Sequence, residues 1–133
     1  MQFDDADLSY IDYLFDLLGA QAGIAELSRL SRGVRPAVQR DISVALLLHG
    51  QPDGEPVVIS LLLDTSAAPW KRENAALALG GHGTKSALGP LQRIASQPAA
   101  TDDLKPLQLT AQSSLGRLKH RLQAPQIDTL TPR

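Results

Sequence analysis

Pro56-Val57-Val58-Ile59-Ser60-Leu61-Leu62-Leu63-Asp64 is the stretch whose reading sets the fold class. A short apolar run with β-branched residues fits a buried strand as well as a buried helix. Its surroundings decide between them. Pro56 follows the turn-forming Asp53-Gly54, and proline suits a first helical turn because its fixed φ and missing N–H cost nothing there. Every neighbouring segment of adequate length has helical spacing, so the stretch reads as a helix and the chain as all-α.

Downstream, a helix opens at Pro69, runs through Trp70 to Leu79 and meets Gly80-Gly81, read as a helix C-cap and turn. Thr84 or Ser86 caps another that ends near Ser96, and a long one runs from about Asp103 to Leu122. Upstream, a helix from about Arg35 to His49 stops at Gly50. A short one covers Ala22 to Leu30, with Ile24, Leu27 and Leu30 three apart. The first covers Ala6 to Leu18, where Leu8, Ile11, Leu14, Phe15 and Leu18 make one apolar stripe. Residues 124–133, with Pro125 and Pro132, read as a loose tail.

Self-comparison organises these helices. Arg40-Asp41-Ile42-Ser43-Val44-Ala45-Leu46-Leu47-Leu48-His49-Gly50 aligns with Lys71-Arg72-Glu73-Asn74-Ala75-Ala76-Leu77-Ala78-Leu79-Gly80-Gly81 at an offset of 31. Leu79-Gly80 recurs as Leu115-Gly116 at an offset of 36, and Pro56 recurs as Pro90 at an offset of 34. Such periods belong to solenoids, in which each helix pair buries its apolar face only by stacking on the next. Ala75, Ala76 and Gly80 share one face, and their small size lets a second helix approach closely.

These residues resemble the short HEAT-like repeat of the phycobilisome-lyase type. There a first helix reads proline, apolar residues and a terminal aspartate, as in Pro56 to Asp64; the second carries a basic residue, small residues, then leucine and glycine, as in Arg72, Ala75, Ala76, Leu79 and Gly80. The match is good over residues 55–96 and weaker over 34–50 and 103–121. The chain departs from the pattern at Lys71 and Asn74, and its third repeat lacks the aspartate turn. The resemblance implies a right-handed α-solenoid of about three helix pairs with an N-terminal capping helix. It divides a single domain, 1–133, into an acidic cap (1–20), three repeats (21–50, 55–81, 84–122) and the tail (123–133). It also implies structural roles for Gly80, Asp64 and Arg72, the last two tying adjacent turns together.

Composition narrows the function. Apolar residues make up 43% and aromatics only 4%, so the core must close over leucine and alanine, which favours helices. There is no cysteine, hence no disulfide, thiolate metal site or cysteine nucleophile. Net charge is -1, but Asp4, Asp5, Asp7, Asp12 and Asp16 precede any base, leaving a mildly basic remainder. No apolar run approaches the roughly 20 residues that span a bilayer, and the acidic start lacks the features of a signal peptide; a cytoplasmic protein with no membrane partner is expected.

Catalytic sets are hard to assemble. His49, His82 and His120 lie at helix ends or beside glycine, where the helix dipole favours them. Gly80-Gly81-His82-Gly83 follows a helix and lacks the Lys-Ser/Thr ending of a phosphate loop. Asp4, Asp5 and Asp7 fail the calcium-loop pattern, and no Gly-x-Ser-x-Gly elbow occurs. The expectation is no enzyme, no cofactor and no metal.

What remains is surface. In HEAT-like solenoids the second helix of each pair lines the concave face, which makes Gln39, Arg40, Ser43, Lys71, Glu73, Asn74, Gln108, Gln112 and Arg117 candidates for partner contact. Trp70 reads as an anchor for a partner or as a staple against Leu63 or Leu77. The family resemblance implies a protein-binding module, an adaptor or an immunity protein that neutralises a toxin. Nucleic-acid binding ranks below it, because a pI of 6.3 is poor support for a phosphate-binding face. A lyase-type enzyme is a further alternative.

Overall fold

The computed structural model describes residues 36–123, together with Ala22, Ala25, Glu26 and Arg29, which are helical. Five helices lie in 36–123: α1 (Pro36–Leu48), α2 (Glu55–Leu63), α3 (Pro69–His82), α4 (Leu88–Ser96) and α5 (Lys105–Gln123). Single 3-10 turns, Pro52–Gly54, Lys85–Ala87 and Asp102–Leu104, lead into α2, α4 and α5. There is no strand among the described residues, and the protein is all-α. The acidic first helix, most of the short second one and the tail after Gln123 lie outside the described residues.

The ambiguous stretch is helical. Pro56 occupies the first turn of α2, where its missing N–H is harmless, and Asp64 closes the helix in an extended conformation. α1 ends because Gly50 adopts φ +85°, a left-handed conformation natural to glycine. Its N–H bonds to Leu47 O and that of Gln51 to Leu46 O, both at 2.9 Å, the paired bonds of a Schellman turn. α3 differs from the sequence reading. It does not stop at Gly80-Gly81 but continues to His82, and Gly83 closes it with its N–H on Leu79 O.

The continuation has a packing cause. A Cβ at Gly80 would lie 2.7 Å from Ser114 Cβ and 2.8 Å from Ser114 Cα, so the backbones of α3 and α5 nearly touch there. Gly81 meets Arg117 and the carbonyl of Gly83 receives Arg121, so the two helices run in the same direction. α3 lies between α1 and α5 and also packs on α2; α4 packs on α5 and touches α2.

The core follows from this arrangement. Ala75, Ala76, Ala78 and Leu79 of α3 are fully buried, against Val58 and Leu62 of α2, Leu91 of α4, and Ala111 and Leu118 of α5. Alanines on the central helix bring its neighbours close enough for leucines on the flanking helices to fill the space. Each fully buried leucine contributes about 1.5–3 kcal/mol relative to exposure.

Polar side chains stitch the helix ends. The last carbonyls of a helix have no partner within it. Arg72 Nε of α3 donates to Leu62 O of α2 at 2.9 Å. Gln108 and Gln112 of α5 donate to Ala95 O of α4 at 3.4 and 3.2 Å. Arg121 donates through Nε to Gly80 O at 3.0 Å and through Nη2 to Gly83 O at 2.8 Å. The ends of α2, α3 and α4 are thus each closed by a side chain from another helix.

Candidate functional site

Two regions gather the residues that the sequence singles out. The first is a cleft of about 220 Å³ between α1, α2 and the start of α3, lined among others by Arg40, Asp41, Leu61, Asp64, Ser66 and Lys71. Arg40 Nη1 reaches Asp64 Oδ2 at 2.7 Å, and Asp64 Oδ1 accepts from both the N–H and the hydroxyl of Ser66. Deeper in, Lys71 Nζ lies 3.2 Å from Asp41 Oδ2, with both side chains largely out of solvent. Opposite charges face each other in both pairs, so the cleft carries little net field.

The Ser66 hydroxyl, the Arg40 guanidinium and the Ser66 N–H hold the Asp64 carboxyl well below the usual carboxylate range. Asp64 is therefore a fixed anion and a poor proton donor at neutral pH. Its hydrogen-bonded charge partner is Arg40, and its charge also acts on Arg72. Arg72 is buried and donates its Nε to Leu62 O, closing α2.

The second region is the outward face of α3 with the adjoining part of α5. Trp70, Asn74 and Leu77 recur at helical spacing on the side of α3 opposite the buried Arg72, Ala75, Ala76 and Leu79. Trp70 is 46% exposed and Leu77 47%, while Leu109 on α5 is 64% exposed. The Lys71 ammonium lies 5.6 Å from the Trp70 ring centroid, within the range of a cation–π contact. At the far end of the same face the Arg117 guanidinium lies against Gly81, 3.5 Å from where a Cβ would project. Arg117 makes no ion pair among the described residues.

His82 stands beside that guanidinium at the end of α3. Burial, then the charges of Arg121, Arg117 and His49, hold its pKa below the usual imidazole value. It is neutral near pH 7, and no side chain among the described residues hydrogen-bonds it into a fixed tautomer. No group of three or more His, Cys, Asp or Glu is placed to hold a metal among the described residues. No helix among them is long and apolar enough to cross a membrane.

The sequence candidates thus separate. Trp70 and Arg117 are exposed at opposite ends of the outward face, with Glu73 and Asn74 half-buried between them. Lys71 and Ser43 are buried, and Arg40 is engaged with Asp64. Gln108 and Gln112 are committed to Ala95 O. Leu77 and Leu109 join the face although the sequence reading did not single them out for contact. The i, i+4, i+7 series Trp70, Asn74, Leu77 carried the signal, but leucine in an apolar helix reads first as core. Comparison with protein-family models, curated proteins and solved structures finds no match for this chain.

Proposed function

We propose that this chain is a protein-binding module of the HEAT-like solenoid type, which receives another protein on the outward face of α3 and α5. The observation that carries the reading is the exposed apolar series Trp70 and Leu77 with Leu109 on the parallel neighbour. Large apolar side chains held in water on a rigid helix pair are the usual anchors of an interface, and tryptophan is the most enriched of them. α3 is fixed on three sides by α1, α2 and α5, so the anchors are presented with little further loss of conformational freedom.

The repeat character rests on two supports. α3 lies between α1 and α5 while α2 touches α4, as stacked helix pairs require. The closure of α2 by Arg72 is repeated in the closure of α4 by Gln108, 36 residues on, as the repeat spacing requires.

The test is to capture partners from the cells that make the protein, purify the principal one and titrate it calorimetrically against the wild type, Trp70→Ala and Leu77→Ser. Each substitution should weaken binding at least about tenfold with the fold intact, as for a central anchor. Undiminished affinity in both variants would remove this face from the interface.

A further inference from the structure

At the C-terminal end of α3 the outward face changes from apolar to cationic. The Arg117 guanidinium rests against Gly81, exposed and without an ion-pair partner among the described residues. Arg121 stands next to it, its Nε and Nη2 fixed on the carbonyls of Gly80 and Gly83. Those bonds matter electrostatically. A helix C-terminus is the negative end of its dipole and repels anions, but here a guanidinium covers the carbonyls that carry the charge.

His82 and His49 complete the cluster. The acid that bears on it is Glu55, whose carboxylate accepts from the N–H and hydroxyl of Thr84 at 2.8 and 3.1 Å and lies close enough to Arg121 to act on its charge. Glu55 is thus turned to the Thr84 loop, and no acid among the described residues pairs with Arg117. On α3 itself the acid is Glu73, half-buried near the Trp70 end. Along α3 the face therefore runs from an aromatic anchor beside an acid, through Leu77, to an open guanidinium.

We propose that the segment docking on this face is an acidic amphipathic helix of the partner protein, its apolar residues on Trp70, Leu77 and Leu109 and a carboxylate paired with Arg117. Every link is complementary chemistry: a flat guanidinium with free N–H groups takes a carboxylate in a two-point contact, and a helix meets an apolar stripe through its own i, i+3, i+4 series. Burial and then the charges of Arg121, Arg117 and His49 lower the His82 pKa, and a docked carboxylate would offset the second of these causes. The inference rests on the binding face proposed above and adds the nature of what binds.

The test uses the full chain, with Trp70, its sole tryptophan, as the fluorescent reporter. Three peptides of about 18 residues, roughly five helical turns, share one leucine face and carry Glu, Gln or Lys on the flanks. The Glu peptide should shift Trp70 emission and bind at least about tenfold tighter than the Gln peptide, a margin that shrinks as salt rises. Arg117→Ala should erase that margin, so that the Glu and Gln peptides bind alike. Equal binding of the Glu and Gln peptides, or preference for Lys, overturns the acidic partner while keeping the docking face. Silence of Trp70 toward all three overturns the face itself. A duplex DNA oligonucleotide that binds through Arg117 where the Glu peptide does not would overturn the proposal in favour of nucleic acid.

Discussion

A Cβ placed on Gly80 would lie 2.7 Å from the Cβ of Ser114, closer than real side chains approach. Glycine at 80 is thus what allows α3 and α5 to meet. In an open helix, replacing glycine by alanine stabilises by about 1 kcal/mol, but here the added methyl must push two backbones apart at a typical overpacking cost of about 1–3 kcal/mol. Gly80→Ala should lose about 1–2 kcal/mol in urea unfolding, and Ser114→Gly in the same background should restore part of it. Gly116, on the same α5 with nothing near its would-be Cβ, is the control: Gly116→Ala should gain about 0.5–1 kcal/mol.

The Asp41–Lys71 pair lies inside the α1–α3 contact, the two side chains 6% and 10% exposed. Removing one charge leaves the other desolvated, at a cost of about 3 kcal/mol, whereas removing both spares that penalty. Asp41→Leu and Lys71→Met should each destabilise by about that amount, and the double variant by clearly less than their sum. Chemical unfolding of the four proteins gives the coupling directly.

Arg121 closes the end of α3 with two bonds from one guanidinium. A hydrogen bond to a charged group contributes about 1.5–3 kcal/mol. Arg121→Ala should cost about 2 kcal/mol, and Arg121→Lys should recover little, because an ammonium cannot span both carbonyls in the fork geometry. Hydrogen exchange at the Gly83 amide, bonded to Leu79 O, should quicken in both variants and mark the loss at this helix end.

Asp64 sets a pH dependence. Its folded pKa is depressed, so the stability it contributes is present above its unfolded value near pH 4 and is lost as pH falls through the lower folded value. His82 is depressed as well, and its share begins to fall below about pH 6.5. Urea midpoints of the wild type should decline in both windows. Asp64→Asn should flatten the more acidic one and leave the other unchanged.

The helices of 36–123 were legible where the signals are local. Pro56 and Pro69 open helices, Gly50 closes one, and Thr84, accepting from Ser86 N–H, caps the turn before α4. The sequence misled where a partner from elsewhere overrides local preference. Gly80-Gly81 has the look of a terminator, yet Ser114 and Arg121, 34 and 41 residues away, hold it helical. The same distance effect hid the roles of Gln108 and Gln112, whose partner Ala95 O is on another helix, and the bond from Arg40 to Asp64. Of the candidate site, Trp70 and Arg117 were visible by residue type. Leu77 and Leu109 were not, since only packing decides which leucines of a helix face water.

The most direct test of the binding face is photocrosslinking in the cells that make the protein, with a photoreactive residue placed in turn at Asn74 on α3, Ser113 on α5 and Arg93 on α4. Asn74 and Ser113 should trap one and the same partner, and Arg93, exposed on another helix, should trap none of it. Crosslinking of that partner from Arg93 with none from Asn74 or Ser113 would contradict the account.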